Sequence, residues 1–433
     1  MGVFMSILIE NVMIVTMDEE QDVIKEGYIL IKEDKIKEVN LGAYLGNKEN
    51  LYIINGEGRC AIPGLVNAHT HAGMTIFRGY GEGLPLMRWL NEKIWPIESK
   101  LKGEHVKIAT ELAALEMLRS GTTCFNDMYF YEEQVVKVAK EFNIRGIIGV
   151  SIMGDSWEHQ LKEAIDIDKK IKEDKSGLLD SMIAPHSPYT LSKEALESIG
   201  KEAKLQNKNI HIHISETQDE VNIIKEKYNK TPCEFLQSVG IFNSKVAAAH
   251  CVYLTDEDMN ILKQNGTSVI YNPQSNMKLA SGIAKIAEMI DMDINVCLGT
   301  DGTSSNNNLN MIEEMETGTI LQKLYYKDAT KLSAKKALEM ATYNGAKALI
   351  NNKKLGKIKK DYLADIALLD LNKPNMLPVN DIHSNIVFSA NGSEIDYVIV
   401  NGSVVMEKGE FKHIDEEKVL YNFKEMCKDI FNN

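Results

Sequence analysis

Eight compact, largely apolar runs recur through the middle of the chain: Leu65–His71, Thr122–Met128, Arg145–Ile152, Met182–Ser187, Ile210–Glu216, Val246–Cys251, Ser268–Asn272 and Ile294–Asp301. Each has the length of a strand. Between them lie longer amphipathic stretches such as Val106–Arg119, Glu132–Phe142, His159–Glu173, Lys193–Leu205 and Asp256–Gln264. Strands alternating with helices in this way predict βα units and a parallel sheet. The runs also share the manner of their ending. His69 and His71, Asp127, His186, His213 and Glu216, His250, Asn272 and Asp301 all fall at their C-terminal ends. Packing alone gives no reason for reactive side chains to gather at the same end of run after run. In a (β/α)8 barrel that end is the mouth, where active sites are built. The expected fold class is therefore α/β, a distorted (β/α)8 TIM barrel. A long open sheet is the alternative, and the Gly-rich dinucleotide turn that would favour it is missing.

The two ends of the chain read differently. Ile7–Ile9, Val12–Thr16, Tyr28–Ile31, Ile36–Val39 and Tyr52–Asn55 are short runs punctuated by Asp, Gly and Asn. The same texture returns in Ala364–Leu369, Ile386–Phe388, Tyr397–Val400 and Ser403–Met406. Such spacing predicts antiparallel sheet. At 433 residues the chain is long for a single core. Residues 1–62 and 353–433 are expected to form one small β-sandwich domain, with 63–352 as the barrel.

A net charge of −13, with no dense Lys/Arg run, argues against nucleic acid as a partner. No apolar run approaches the roughly 20 residues that span a bilayer, so no membrane is expected either. The six cysteines are scattered without CxxC spacing and read as reduced thiols of a cytoplasmic protein. The opening residues lack the charged region and long apolar core of a signal peptide.

His69-Thr70-His71 sets two imidazoles on one face of an extended segment, so both can reach one metal. An HxH pair alone is weak, but it closes Pro63-Gly64-Leu65-Val66-Asn67-Ala68. His213 ends a second run, and Asp301 is a carboxylate at the end of an otherwise apolar strand. His211 shares the face of His213 one layer deeper and reads as a core or supporting histidine, not a ligand. The expected metal ligands are His69, His71, His213 and Asp301. Nitrogen and carboxylate donors with a position left for water describe a catalytic divalent site holding one ion per chain. Zinc is the default, with iron or manganese the alternatives.

The ordered motifs Pro63–His71, His213-Ile214-Ser215-Glu216, Ala249-His250-Cys251 and Leu298-Gly299-Thr300-Asp301-Gly302 resemble the amidohydrolase superfamily. Leu355-Gly356-Lys357-Ile358 followed by Ala364-Asp365-Ile366 looks like that family's return into its small β domain. The likeness is greatest to the 5′-methylthioadenosine/S-adenosylhomocysteine deaminases. It rests on Trp95-Pro96-Ile97-Glu98, Pro185-His186-Ser187-Pro188-Tyr189, the segment Asn272–Leu279 and the segment Asp301–Asn307. This resemblance implies that Glu98 and His186 contact a nucleoside. It also implies that Glu216 donates to the ring nitrogen, Asp301 accepts the proton of a metal-activated water, and His250 orients that water. The expected partner is a small-molecule adenine nucleoside, acted on by a homo-oligomer. One departure stands out: Gly149–Trp157 carries none of the arginines that can face the substrate's far end in this subgroup.

Two other chemistries fit less well. A dinuclear amidase wants a bridging lysine near the end of the fourth strand, and Ile183-Ala184-Pro185-His186-Ser187 has none. Zinc nucleobase deaminases use PCxxC, whereas Pro232-Cys233-Glu234-Phe235-Leu236 lacks the second cysteine. The nearest rival is a deaminase or chlorohydrolase for another heterocycle, such as guanine, cytosine or a triazine.

Overall fold

The computed structural model describes residues 6–84, 86–350 and 354–431. The first five residues and the expected domain boundary between 352 and 353 lie outside them. The barrel strands are β1 (Leu65–Thr70), β2 (Thr122–Tyr129), β3 (Arg145–Ile152), β4 (Ala184–Pro185), β5 (Ile210–Ile214), β6 (Val246–His250), β7 (Ser268–Tyr271) and β8 (Val296–Leu298). All run parallel to their barrel neighbours, in two arcs ordered β4-β3-β2-β1 and β5-β6-β7-β8.

Two seams close the barrel. At the first, His211 N donates to Ile183 O and His213 N donates to His186 O, at 3.0 and 3.1 Å. At the second, Asp301 N donates to His69 O at 2.9 Å, while Asn67 receives Thr300 N and donates to the Thr300 hydroxyl. Both seams lie beside site residues. β4 is only two residues long, and Pro185 has no N–H to give a neighbour, while the register slips of the barrel fall between β1 and β2.

The five helices anticipated from amphipathic spacing are present, with ends within about three residues of those expected. Lys193–Leu205 shows why: Ser192 caps it through Ala195 N, and Ala195, Leu196, Ile199 and Ala203 form its buried stripe.

Strands from both chain ends share one nine-stranded sheet. Its two limbs face each other across a core that includes Ile7, Ile9, Ile29, Ile366, Leu368 and Ile399. Two expectations need correction. The sheet is mixed, not antiparallel throughout: Ser6–Val15 pairs antiparallel with Val23–Lys32 but parallel with Leu51–Asn55 and Arg59–Pro63. The chain through 42–50 carries it back to its starting end, which dictates a parallel partner. Ile386–Phe388 is not a strand but the end of the helix Ile382–Phe388. Asp381 caps that helix, and Ile382, His383, Ile386 and Val387 are buried at helical spacing. Three apolar residues in a row were too few to reveal that period.

The last helix, Glu416–Phe431, packs back on the barrel helix Gly103–Arg119, where Arg119 pairs with Glu416. Among the described residues no helix is long and apolar enough to cross a membrane.

Candidate active site

The mouth of the barrel gathers the expected side chains into one chamber. His71, His213, Asp301, Glu216, His250, His186 and Glu98 all line it, with Met74, Trp89, Trp95, Phe130, Tyr189 and Leu279 as apolar walls. Buried His69 completes the cluster from below, its ring centroid 4.8–5.5 Å from those of His71, His213 and His250. Two overlapping trios have donor atoms close enough to share an ion: His69, His71 and Asp301, and His69, His213 and His250.

A histidine that ligates through Nε2 carries its proton on Nδ1, where it needs an acceptor. The fold supplies one in each case: Met128 O for His71 at 2.6 Å, His186 O for His213 at 2.6 Å, and His211 Nε2 for His69 at 3.0 Å. His211, one layer deeper, stands behind His69 and faces its Nδ1. His69 Nε2 is buried without a hydrogen-bond partner, an orphan that a cation satisfies. Burial lowers the His69 imidazole to about 4. At His71 burial acts the same way but is outweighed by Asp301, which raises it to about 9. Burial likewise opposes ionisation of Asp301, yet His69 and His71 hold its carboxyl well below the usual range. The centre is thus built around positive charge, and the residues present fit a divalent metal.

Asp301 is fixed from three sides. The hydroxyls of Ser275 and Ser305 donate to Oδ2 at 2.6 and 2.8 Å, and Gly302 N donates to Oδ1 at 2.8 Å. Asn276 Oδ1 lies 2.9 Å from His250 Nδ1, which leaves His250 Nε2 facing Glu216 Oε2 at 3.9 Å. Burial raises the Glu216 carboxyl despite the pull of His250, as a proton donor requires. Glu98 Oε1 accepts the Tyr129 hydroxyl at 2.7 Å, and burial raises this carboxyl too. The His186 ring is pushed down to about 3 by burial and by neighbouring imidazoles, so it is neutral. His250 and Asp301 sit at φ 72° and 62°. Non-glycine residues rarely adopt that region, and it is found where function overrides local comfort.

Sequence reasoning named the inner groups but missed Ser275, Ser305 and Asn276 as supports, together with the aromatic walls. The segments Asn272–Leu279 and Asp301–Asn307 held the three supports, and Trp95 and Tyr189 stood in quoted motifs, each without a role.

The amidohydrolase family pattern matches residues 60–405, which span the whole barrel and most of the C-terminal strands. The chain belongs to the amidohydrolase family. Within it, a 5-methylthioadenosine/S-adenosylhomocysteine deaminase of Carboxydothermus hydrogenoformans is 44% identical, over 96% of each chain. A 5′-deoxyadenosine deaminase of Methanocaldococcus jannaschii is also 44% identical, over 97% of this chain and 98% of its own. Among solved amidohydrolase structures, an adenosine deaminase from Xanthomonas campestris with bound zinc superposes with a TM-score of 0.94 at 30% identity, covering 99% of both chains.

Proposed function

We propose that this amidohydrolase is a metal-dependent hydrolytic deaminase of adenine nucleosides. It converts the adenine ring of 5′-methylthioadenosine, S-adenosylhomocysteine, 5′-deoxyadenosine or a related nucleoside to the hypoxanthine form and releases ammonia. The observation that carries the reading is the placement of Glu216. A carboxyl raised by burial stands beside the metal-competent cluster, in the chamber that Glu98 and His186 also line. The names of the relatives at 44% identity agree with it.

His69, His71, His213 and Asp301 would hold one divalent ion, with zinc the proposed metal. When bound, such an ion supplies a water that ionises near neutral pH. Asp301, kept ionised by its neighbours, takes the proton of that water. Glu216 donates to the ring nitrogen next to the carbon under attack, and such help is typically worth about 10²–10⁴ in rate. His250 donates its Nδ1–H to Asn276 Oδ1, which leaves Nε2 to orient the water. Water adds at the amine-bearing carbon, the proton taken by Asp301 passes to the amino group, and ammonia leaves as the carbonyl forms and the hydroxyl proton returns to Glu216. Glu98 receives one hydrogen bond from Tyr129 and has lone pairs left for a ribose diol.

Ammonia release across adenosine, 5′-deoxyadenosine, methylthioadenosine, S-adenosylhomocysteine, guanine, cytosine and a triazine tests the proposal. Turnover of the adenine nucleosides is expected. Turnover confined to guanine, cytosine or the triazine would overturn it.

A further inference from the structure

Three helices, Gln218–Tyr228, Pro232–Ser238 and Asp256–Gln264, begin with one local pattern, a threonine followed three residues later by an acid. The pairs are Thr217 with Glu220, Thr231 with Glu234, and Thr255 with Asp258. In each, the threonine hydroxyl caps the helix by accepting the backbone N–H of the acid. Two of the acids then close the usual box: Thr231 N donates to Glu234 Oε2 at 2.8 Å, and Thr255 N donates to Asp258 Oδ2 at 2.9 Å. Glu220 does not. Its carboxylate reaches past the cap, where Ser215 N donates to Oε1 at 2.7 Å and Glu216 N donates to Oε2 at 3.0 Å. A side chain in position to close a helix end instead holds the turn that carries Glu216.

That turn is shaped to be held. Ser215 directly follows β5 and is buried at φ 53°. A residue in the left-handed region brings successive N–H groups to one side, a concavity that binds an anion. Each N–H needs an acceptor, and Glu220, itself 2% exposed, supplies both. Burial pushes its carboxyl up to about 8 against the pull of the two N–H groups, so the side chain stands there despite its desolvation. The turn is tied from its other side as well. Ser215 O accepts Val252 N and Tyr253 N at 3.1 and 2.9 Å, just past His250. The turns bearing Glu216 and His250 are thus one backbone unit. His250 Nε2 stands 3.9 Å from Glu216 Oε2, beyond hydrogen-bond reach, and does not itself hold that carboxyl.

We propose that Glu220 is a positioning residue for the deamination: its carboxylate fixes the backbone at Ser215 and Glu216 and so places the Glu216 carboxyl against the heterocycle. The inference rests on the hydrolytic-deaminase reading and adds to it the group on which the placement of the proton donor depends. A displacement of about 1 Å at a reacting group costs about 10² in rate, whereas an ordinary helix cap bears on stability.

The test is a double-mutant cycle on the metal-loaded enzyme with 5′-deoxyadenosine, read as kcat alongside metal content. Glu220→Gln sets an amide NH2 against one of the two N–H donors and so breaks half of the clamp at unchanged volume. It is expected to lower kcat about 10- to 100-fold while the metal content matches that of the parent. Added to Glu216→Gln, it is expected to change kcat by less than about threefold, because residues that act as a unit are not additive. Glu234→Gln breaks an ordinary box on the next helix, and is expected to lower the melting temperature without lowering kcat. Glu220→Asp is too short to span both N–H groups and carries the same cycle if the glutamine variant does not fold. Four results would overturn the inference: a kcat within about twofold of the parent, a loss that multiplies in full with Glu216→Gln, a loss that follows metal content, or an equal loss from Glu234→Gln. A parent that deaminates guanine, cytosine or a triazine but no adenine nucleoside overturns the nucleoside reading alone, and the cycle is then read on that substrate. A parent that releases ammonia from none of them overturns both.

Discussion

At the scale of single residues, four histidines at the barrel mouth each commit Nδ1 to a fixed partner: His211, Met128 O, His186 O and Asn276. Their Nε2 atoms are thereby left for the centre, where two overlapping trios, His69, His71 and Asp301, and His69, His213 and His250, have donor atoms close enough to share an ion. Elemental analysis of protein purified without added metal should therefore find close to one equivalent per chain. Two equivalents, both needed for activity, would show that the single-ion arrangement is wrong. Glu216 lies outside the proposed ligand set, so its role separates cleanly from metal binding. Glu216→Gln keeps the shape but cannot pass a proton, and should retain metal while kcat falls by about 10² or more. Near-normal kcat in that variant would remove Glu216 from the chemistry. Glu98 is the group proposed to bind the sugar. Losing a charge-assisted hydrogen bond costs about 1.5–3 kcal/mol, or roughly 10- to 150-fold in kcat/KM at 1.4 kcal/mol per tenfold. Glu98→Ala should show that loss on 5′-deoxyadenosine, methylthioadenosine and S-adenosylhomocysteine and almost none on free adenine. An equal loss on all four would mean that Glu98 only supports the fold.

At the scale of elements, one short helix does more than its length suggests. Pro273–Lys278 follows β7 at once, with Pro273 fixing its first turn. It sends Ser275 to Asp301 and Asn276 to His250, two chemical groups on different strands. Asn276→Ala should lower kcat about 10- to 100-fold, the usual range for a group that orients another, while metal content stays at one equivalent. Unchanged kcat would show that His250 needs no such hold. This helix also marks where legibility in the sequence ended. Strand-length runs closing on His, Asp and Glu announced the barrel and its mouth, because both signals are local. The link from Asn276 to His250 spans 26 residues and depends on how β6 and β7 lie side by side, which no spacing rule reports. The helix Ile382–Phe388 was misread for the converse reason: its burial period emerges only once Asp381 is seen capping it.

At the scale of the whole molecule, the barrel and the strands of the chain ends are joined through a buried charge pair. Arg145 opens β3, and Asp365 immediately precedes the strand Ile366–Asp370 of the nine-stranded sheet. Their side chains are 1% and 0% exposed. Arg145 Nε and Nη2 donate to the two carboxylate oxygens at 3.1 and 2.9 Å, a bidentate geometry that lysine could not reproduce. Nη1 donates to Gly177 O at 2.6 Å and Nη2 also reaches Asn401 Oδ1 at 3.3 Å, while Asp365 Oδ1 accepts Asn401 N at 2.9 Å. The pair thus satisfies both charges and pins β3, the loop at Gly177 and the turn at Asn401 together. This gives the Ala364-Asp365-Ile366 motif a physical purpose. Removing one partner of such a pair leaves a buried charge uncompensated, typically costing about 3–5 kcal/mol, whereas replacing both with apolar groups can be nearly neutral. Asp365→Ala should therefore lower the denaturant midpoint sharply, and the double variant Arg145→Leu/Asp365→Leu should recover much of the loss. Metal content and kcat of the folded double variant should stay close to the parent, since neither residue lines the catalytic chamber. An Asp365→Ala midpoint close to that of the parent would show that the two parts of the molecule are held by apolar packing alone. A double variant as unstable as the single one would place the cost in the backbone contacts around Asn401 and not in the stranded arginine.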